Sequence, residues 1–256
     1  MRDAWVIDGF QVSNRLFLGT GKFGSVELTR QALLAAEIQV TTVALRRVEP
    51  GRPEEDLLAG LPRDCRVMIN TSGARDGEEA LRIARLARAA GAGTWIKVEV
   101  IPDQRHLMPD NLETLRVTET LVQEGFTVFP YMSPDLSMGR RMAEAGAAAV
   151  MPLGAPIGSN RGLRTRELVA IMVREIPAPI VVDAGLGTPS DACECMELGC
   201  AAVLVNTAVA VAPDPPALAA AFRLAVAAGR QAFLAGLPPI GQAEASSPLT
   251  GFLGRS

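Results

Sequence analysis

The sequence predicts a parallel (β/α)8 barrel, the TIM-barrel architecture, folded as a single domain. Three observations carry that expectation. Eight short apolar runs alternate with eight helical patterns, and such alternation implies parallel strands joined by crossover helices. The 256 residues are the length that eight such repeats occupy. The composition is 48% hydrophobic with only 4% aromatic, which calls for an aliphatic core of buried parallel strands rather than a β-sandwich.

Residues 1–14 open the chain as a cap. Trp5-Val6-Ile7-Asp8-Gly9-Phe10-Gln11-Val12 reads as a hairpin that turns at Asp8-Gly9. The barrel strands are expected at 16–18, 42–45, 66–70, 95–101, 128–131, 149–153, 180–183 and 202–206, each a short apolar run ending in polar or glycine residues. Helical patterns fill 25–37, 49–61, 77–90, 112–124, 135–145, 165–175, 190–198 and 216–234. The pattern is poorest over 49–61, where Pro50, Gly51 and Pro53 lead into it. Residues 237–256 are rich in proline, glycine and serine and are read as an irregular tail.

An open doubly wound sheet is the rival architecture. Gly19-Thr20-Gly21-Lys22-Phe23-Gly24 does spell a Gly-x-Gly-x-x-Gly after the first barrel strand. No acidic residue closes the next strand, where a ribose would be held; Leu45 is followed by Arg46-Arg47. The fingerprint alone carries little.

Charge and cysteine content exclude several functions. A net charge of −3 offers no field for a nucleic acid. One histidine, His106, and no Cys-x-x-Cys pair leave a zinc site poorly supplied, so no metal is expected. Cys65, Cys193, Cys195 and Cys200 are read as reduced and structural. The N-terminal residues lack the apolar core of a signal peptide, and no uninterrupted apolar run reaches membrane-spanning length. A cytoplasmic protein with no membrane partner is expected.

The chemistry is expected at Lys97 and Glu99. Along 95–101, residues alternate faces, so Lys97 and Glu99 share one side while Ile96, Val98 and Val100 share the other. Either that polar face is wet, or it lines a site. Only two of the 25 basic residues are lysines, Lys22 and Lys97. An ammonium can lose its proton and attack a carbonyl, whereas a guanidinium does not. Burial inside an apolar barrel would favour the neutral amine. The other reading is a Lys97/Glu99 ion pair on a solvated face.

In this architecture, ligands bind where strands end. The runs around Asp183-Ala184-Gly185-Leu186-Gly187-Thr188-Pro189 and Asn206-Thr207 close the seventh and eighth barrel strands. Glycines leading into a helix that starts near Pro189 would offer backbone N–H groups to a phosphate; the alternative is that they only make tight turns. A phosphate anchor beside an interior lysine suggests imine chemistry on a sugar phosphate, with Glu99 and Asp183 moving protons. Asp183 could equally cap the following helix or pair with an arginine.

At this level of detail the chain resembles the bacterial thiazole synthase family over nearly its whole length. The matching stretches are Gly19-Thr20-Gly21-Lys22, Thr42–Val48, Asn70-Thr71-Ser72-Gly73, Trp95–Ile101, Leu107-Met108-Pro109-Asp110, Val150–Gly154, Pro156-Ile157-Gly158-Ser159, Val182-Asp183-Ala184-Gly185, Glu197-Leu198-Gly199, Asn206-Thr207-Ala208 and Ala245–Leu249. The resemblance implies that Lys97 forms an imine with 1-deoxy-D-xylulose 5-phosphate. Glu99 and Asp183 match the family's acid/base residues, and Gly158, Ala184, Gly185, Asn206 and Thr207 match its substrate contacts. It further implies sulfur delivered as the C-terminal thiocarboxylate of a small ubiquitin-like carrier protein, dehydroglycine as the other substrate, no cofactor, and a homo-oligomer, dimer or tetramer. Relatives that make thiosugars use the same lysine and a carrier protein on another sugar phosphate, and an imine-forming aldolase is the more distant alternative. Two departures stand out: Asn160-Arg161 follows Ser159 where the family usually has glycine, and 238–242 lacks the basic residues the family often places there.

Overall fold

In the computed structural model, residues 3–44, 61 and 65–239 are described. Arg46-Arg47, nearly all of the expected helix at 49–61 and the tail beyond 239 lie outside them. Strands β1 (Trp5–Ile7) and β2 (Phe10–Val12) form the antiparallel hairpin. Asp8 and Gly9 both take left-handed backbone angles, φ 47° and 74°, the pattern of a tight two-residue turn.

Eight parallel strands follow: β3 (Leu16–Gly19), β4 (Val40–Ala44), β5 (Arg66–Asn70), β6 (Trp95–Val98), β7 (Thr127–Met132), β8 (Met151–Pro152), β9 (Val181–Asp183) and β10 (Ala202–Val205). They pair in the order β8-β7-β6-β5-β4-β3-β10-β9. Bridges Val150–Ile180 and Leu153–Asp183 join β8 to β9 and close the barrel. Eight helices are described around it: α1 (Val26–Ala35), α2 (Gly77–Ala89), α3 (Asn111–Gln123), α4 (Leu136–Glu144), α5 (Arg166–Glu175), α6 (Pro189–Glu197), α7 (Thr207–Ala210) and α8 (Pro215–Ala235).

Helix starts follow from local side chains. Ser25, Asp76, Asp110, Asp135 and Asp214 each accept a hydrogen bond from a backbone N–H of the first turn that follows. Pro189 and Pro215 occupy first-turn positions, where a missing N–H is harmless. Helix α8 is long and apolar enough to cross a membrane by composition. Here it packs on α1 and α6, and its Arg230 pairs with Asp3. It is a helix of the barrel's outer layer.

Two differences from the sequence expectation bear on the site. The apolar run 95–101 stops pairing at Val98, so Glu99 stands one residue past the strand. Four-residue α7, directly after β10, was not expected; one helical turn is too short to show a periodicity.

The barrel interior is layered. At the amino end, Phe17, Met68, Trp95, Phe129, Met151 and Leu204 form a dry layer, and the hairpin covers it through Ile7 and Val12. Trp95 meets Phe10 edge-on at 5.9 Å and Phe129 at 5.2 Å between ring centres. Two residues further along, the inward position turns polar: Met68 gives way to Asn70, Trp95 to Lys97, Val181 to Asp183 and Leu204 to Asn206. The strand period therefore puts every polar side chain of that layer at the carboxyl end.

Candidate active site

The polar layer encloses a cavity of about 340 Å³ at the carboxyl end of the barrel. Lys97 forms its floor. Ile96, Val98 and Val100 face the outer helices among Ala80, Ala84, Val117 and Leu121, which turns Lys97 inward, as the alternation requires. Lys97 is buried, at 4% exposure, so its face is not a solvated one.

Two carboxylates close on the ammonium. Lys97 Nζ donates to Glu99 Oε1 at 2.6 Å, and it forms a second, closer ion pair with Asp183 Oδ2. Both carboxylates are buried, at 4% and 3% exposure. The Tyr131 ring lies 5.1 Å from the same nitrogen. Asp183, for which helix capping or an arginine partner was the competing role, instead reaches across the barrel to the lysine.

Glu99 is fixed although it has left the strand. Asn70 Nδ2 donates to Glu99 Oε1 at 3.0 Å. Thr71 Oγ1 donates to the Glu99 carbonyl and accepts from the Glu99 N–H, both at 2.8 Å. In the sequence Asn70 was only the end of the 66–70 run and part of a stretch shared with the family. Its position two residues beyond an apolar interior position, on the strand next to β6, is the signal that finds it.

The electrostatics correct one expectation. Burial pulls the Lys97 ammonium down, but Asp183 and Glu99 outweigh it and hold the group above the ordinary lysine value. The resting amine is therefore charged, not neutral. Burial pushes the Asp183 carboxyl up, against the opposing pull of Lys97. One lysine between two buried carboxylates leaves an excess negative charge in the layer.

The remaining expected residues line the same cavity. Gly158, Ala184, Gly185, Asn206 and Thr207 are all in its wall. Ala184 and Gly185 take left-handed angles, φ 65° and 80°. A Cβ on Gly185 would fall 2.4–2.6 Å from Ala155 atoms, so glycine is required there by close packing. The Asn206 amide nitrogen donates to the carbonyls of Gly19 at 3.1 Å and Gly21 at 2.7 Å. That packing leaves no space for a Cβ on either glycine, which explains the Gly-x-Gly run without a dinucleotide.

The start of α6 is not a free anion cradle. Asp191 Oδ2 accepts from the N–H groups of Gly187 at 2.9 Å and Thr188 at 2.8 Å, completing a capping box with Thr188. The expected phosphate contacts thus contract to the residues before Gly187 and to Asn206-Thr207. Asn160 lines the cavity, whereas Arg161 is exposed outside its wall. Among the described residues, no group of His, Cys, Asp and Glu is arranged to hold a metal ion. The four cysteines are free.

The geometry can be compared with known proteins. The sequence model of the family described as thiazole biosynthesis protein ThiG matches residues 6–248. The thiazole synthase of Pelotomaculum thermopropionicum is 63% identical over 254 residues, covering 99% of both chains. That of Moorella thermoacetica is 60% identical, covering 99% of this chain and all of the other. Among solved structures, the Amycolatopsis orientalis BexX/CysO complex superposes with a TM-score of 0.84 at 33% identity, over 93% of this chain and 98% of the other. Agreement in sequence along nearly the whole length, and in overall fold, places this chain in the ThiG family of thiazole biosynthesis proteins.

Proposed function

We propose that the protein is an imine-forming thiazole synthase. In this reading it condenses 1-deoxy-D-xylulose 5-phosphate, dehydroglycine and sulfur from a carrier-protein thiocarboxylate into the thiazole phosphate used in thiamine biosynthesis. The observation that carries the reading is the Lys97 ammonium enclosed by Glu99 and Asp183 on the floor of a sugar-sized cavity. Sequence identity to thiazole synthases along the whole chain supports the product.

The steps follow from the charges. When a ketone enters, Lys97 passes a proton to Asp183, whose raised carboxyl accepts it, and the free amine attacks the carbonyl carbon. The C–N bond forms as the carbonyl π pair moves to oxygen. The adduct nitrogen and protonated Asp183 each give that oxygen a proton, the C–O bond breaks as water departs, and the iminium remains with Asp183 again a carboxylate. Glu99 then takes a proton from the carbon next to the imine, giving an enamine whose reprotonation moves the carbonyl along the sugar. The Tyr131 ring face favours the cationic iminium over neutral forms.

Sulfur enters from a small carrier protein whose C-terminal thiocarboxylate reaches the barrel mouth. The relative of known structure that was solved as a complex with a second protein, CysO, supports a protein partner. The protein works as a homo-oligomer, dimer or tetramer; outward Val211, Leu224 and Leu234 offer apolar surface for such contacts. Free cysteines favour a reducing, cytoplasmic setting.

The test is reconstitution with the sugar phosphate, a dehydroglycine source and carrier thiocarboxylate, with thiazole phosphate read by mass. Product formed only when all three are present supports the reading. Product from a hexose phosphate and carrier alone would assign the thiosugar reaction, and turnover without carrier would assign an aldolase.

A further inference from the structure

Lys22 is the second of the chain's two lysines, and the steps above leave it unused. Its side chain enters the same cavity from the loop after β3. A Cβ placed on Gly158 would lie 2.9 Å from Lys22 Nζ and 3.8 Å from Thr207 Oγ1. An ammonium and a hydroxyl thus converge over a glycine at φ 76°, where the missing side chain leaves room for the Lys22 amine.

The loop that presents this amine is built to do so. Asn206 ties down the carbonyls of Gly19 and Gly21 on either side of Thr20, and the fit excludes any side chain at those two positions. Lys22 then takes a left-handed backbone, φ 69°, a conformation that disfavours a residue with a Cβ and persists where its surroundings fix it. The charge balance of the cavity gives the amine a task. Lys97 is already paired with two carboxylates. Among the described residues of the cavity wall, Lys22 is the cation without a carboxylate partner.

We infer that Lys22 grips the phosphoryl end of the substrate, together with Thr207 and across Gly158, and so selects phosphorylated sugars. The two lysines divide the work: the enclosed one reacts, and the exposed one recognises charge. A lysine suits this because its compact ammonium acts as a point charge on a phosphate. The inference rests on the sugar-phosphate reading above.

The test compares wild type, Lys22→Gln and Lys22→Arg. Imine trapping with borohydride is measured against concentration for 1-deoxy-D-xylulose 5-phosphate and for unphosphorylated 1-deoxy-D-xylulose, and binding of inorganic phosphate is measured by calorimetry. Lys22→Gln is expected to raise the half-saturating concentration of the phosphorylated sugar about ten- to hundredfold. Its limiting trapping rate and its response to the unphosphorylated sugar should stay at wild-type values, phosphate binding should be lost, and Lys22→Arg should restore most of the affinity. Lys22 is exposed, so these variants should fold normally, which thermal melting checks. Equal half-saturation in wild type and Lys22→Gln overturns the inference, as does equal weakening for both sugars or unchanged phosphate binding. A wild type that binds phosphate through Lys22 yet traps no sugar would instead overturn the imine reading and leave the phosphate grip standing.

Discussion

Asn70 donates to the same oxygen of Glu99 that receives the Lys97 ammonium. Glu99 Oε1 is therefore held from two neighbouring strands, although Glu99 itself lies in the loop. A carboxylate fixed in this way keeps one geometry while it takes and returns protons. Asn70→Ala should slow proton removal from the imine about 10–100-fold, the equivalent of the roughly 1.5–3 kcal/mol of a hydrogen bond to a charged group. Imine formation should change much less. Deuterium exchange into the sugar, measured beside the trapping rate, separates the two; an equal loss in both would deny Asn70 this role.

Removal of the buried cation should show in stability and its pH dependence. Lys97→Met leaves Glu99 and Asp183 facing each other without a countercharge and is expected to cost about 3–5 kcal/mol near neutral pH. In wild type, the folded-state value of Lys97 is raised above its unfolded value of about 10.4. Its contribution is then complete below about pH 10 and lost only as pH climbs through the raised value. The deficit of the variant should shrink on acidification, because the raised Asp183 carboxyl takes up a proton and relieves the repulsion. Lys97→Arg keeps the charge and should fold. Urea unfolding of all three between about pH 5 and 9 checks this; a deficit that stays constant with pH would place the loss in packing alone.

Asp191 offers a contrast, since its carboxylate serves the helix and not the ligand. Asp191→Ala should lower stability by about 0.5–2 kcal/mol through loss of the N-terminal cap of α6. The trapping rate and the half-saturating sugar concentration should remain at wild-type values. A large rise in the latter would mean that the α6 terminus takes part in binding after all.

The barrel was legible in the sequence because period-two strands and glycine-marked turns repeat in order along the chain, and the β5 run 66–70 was read to its observed ends. Lys97 and Glu99 were legible because two charges at alternate positions of an aliphatic run have no packing role. The position of Asp183 against Lys97 was not legible, since it depends on barrel closure bringing β9 opposite β6. The charge state of Lys97 was misread for the same reason: burial acts locally along the strand, but the carboxylate that reverses its effect comes from another part of the chain. The role of Gly19 and Gly21 was hidden too, because the side chain that fills the space beside them belongs to Asn206, 185 or more positions away.

The central claim is that the enclosed amine of Lys97 becomes covalently linked to a phosphorylated ketose. Borohydride reduction in the presence of 1-deoxy-D-xylulose 5-phosphate, followed by intact mass and peptide mapping, tests it directly. The account predicts one reduced sugar adduct per chain, located on Lys97 and absent from a folded Lys97→Arg variant. An unmodified chain, or an adduct carried by Lys22 instead, would contradict it.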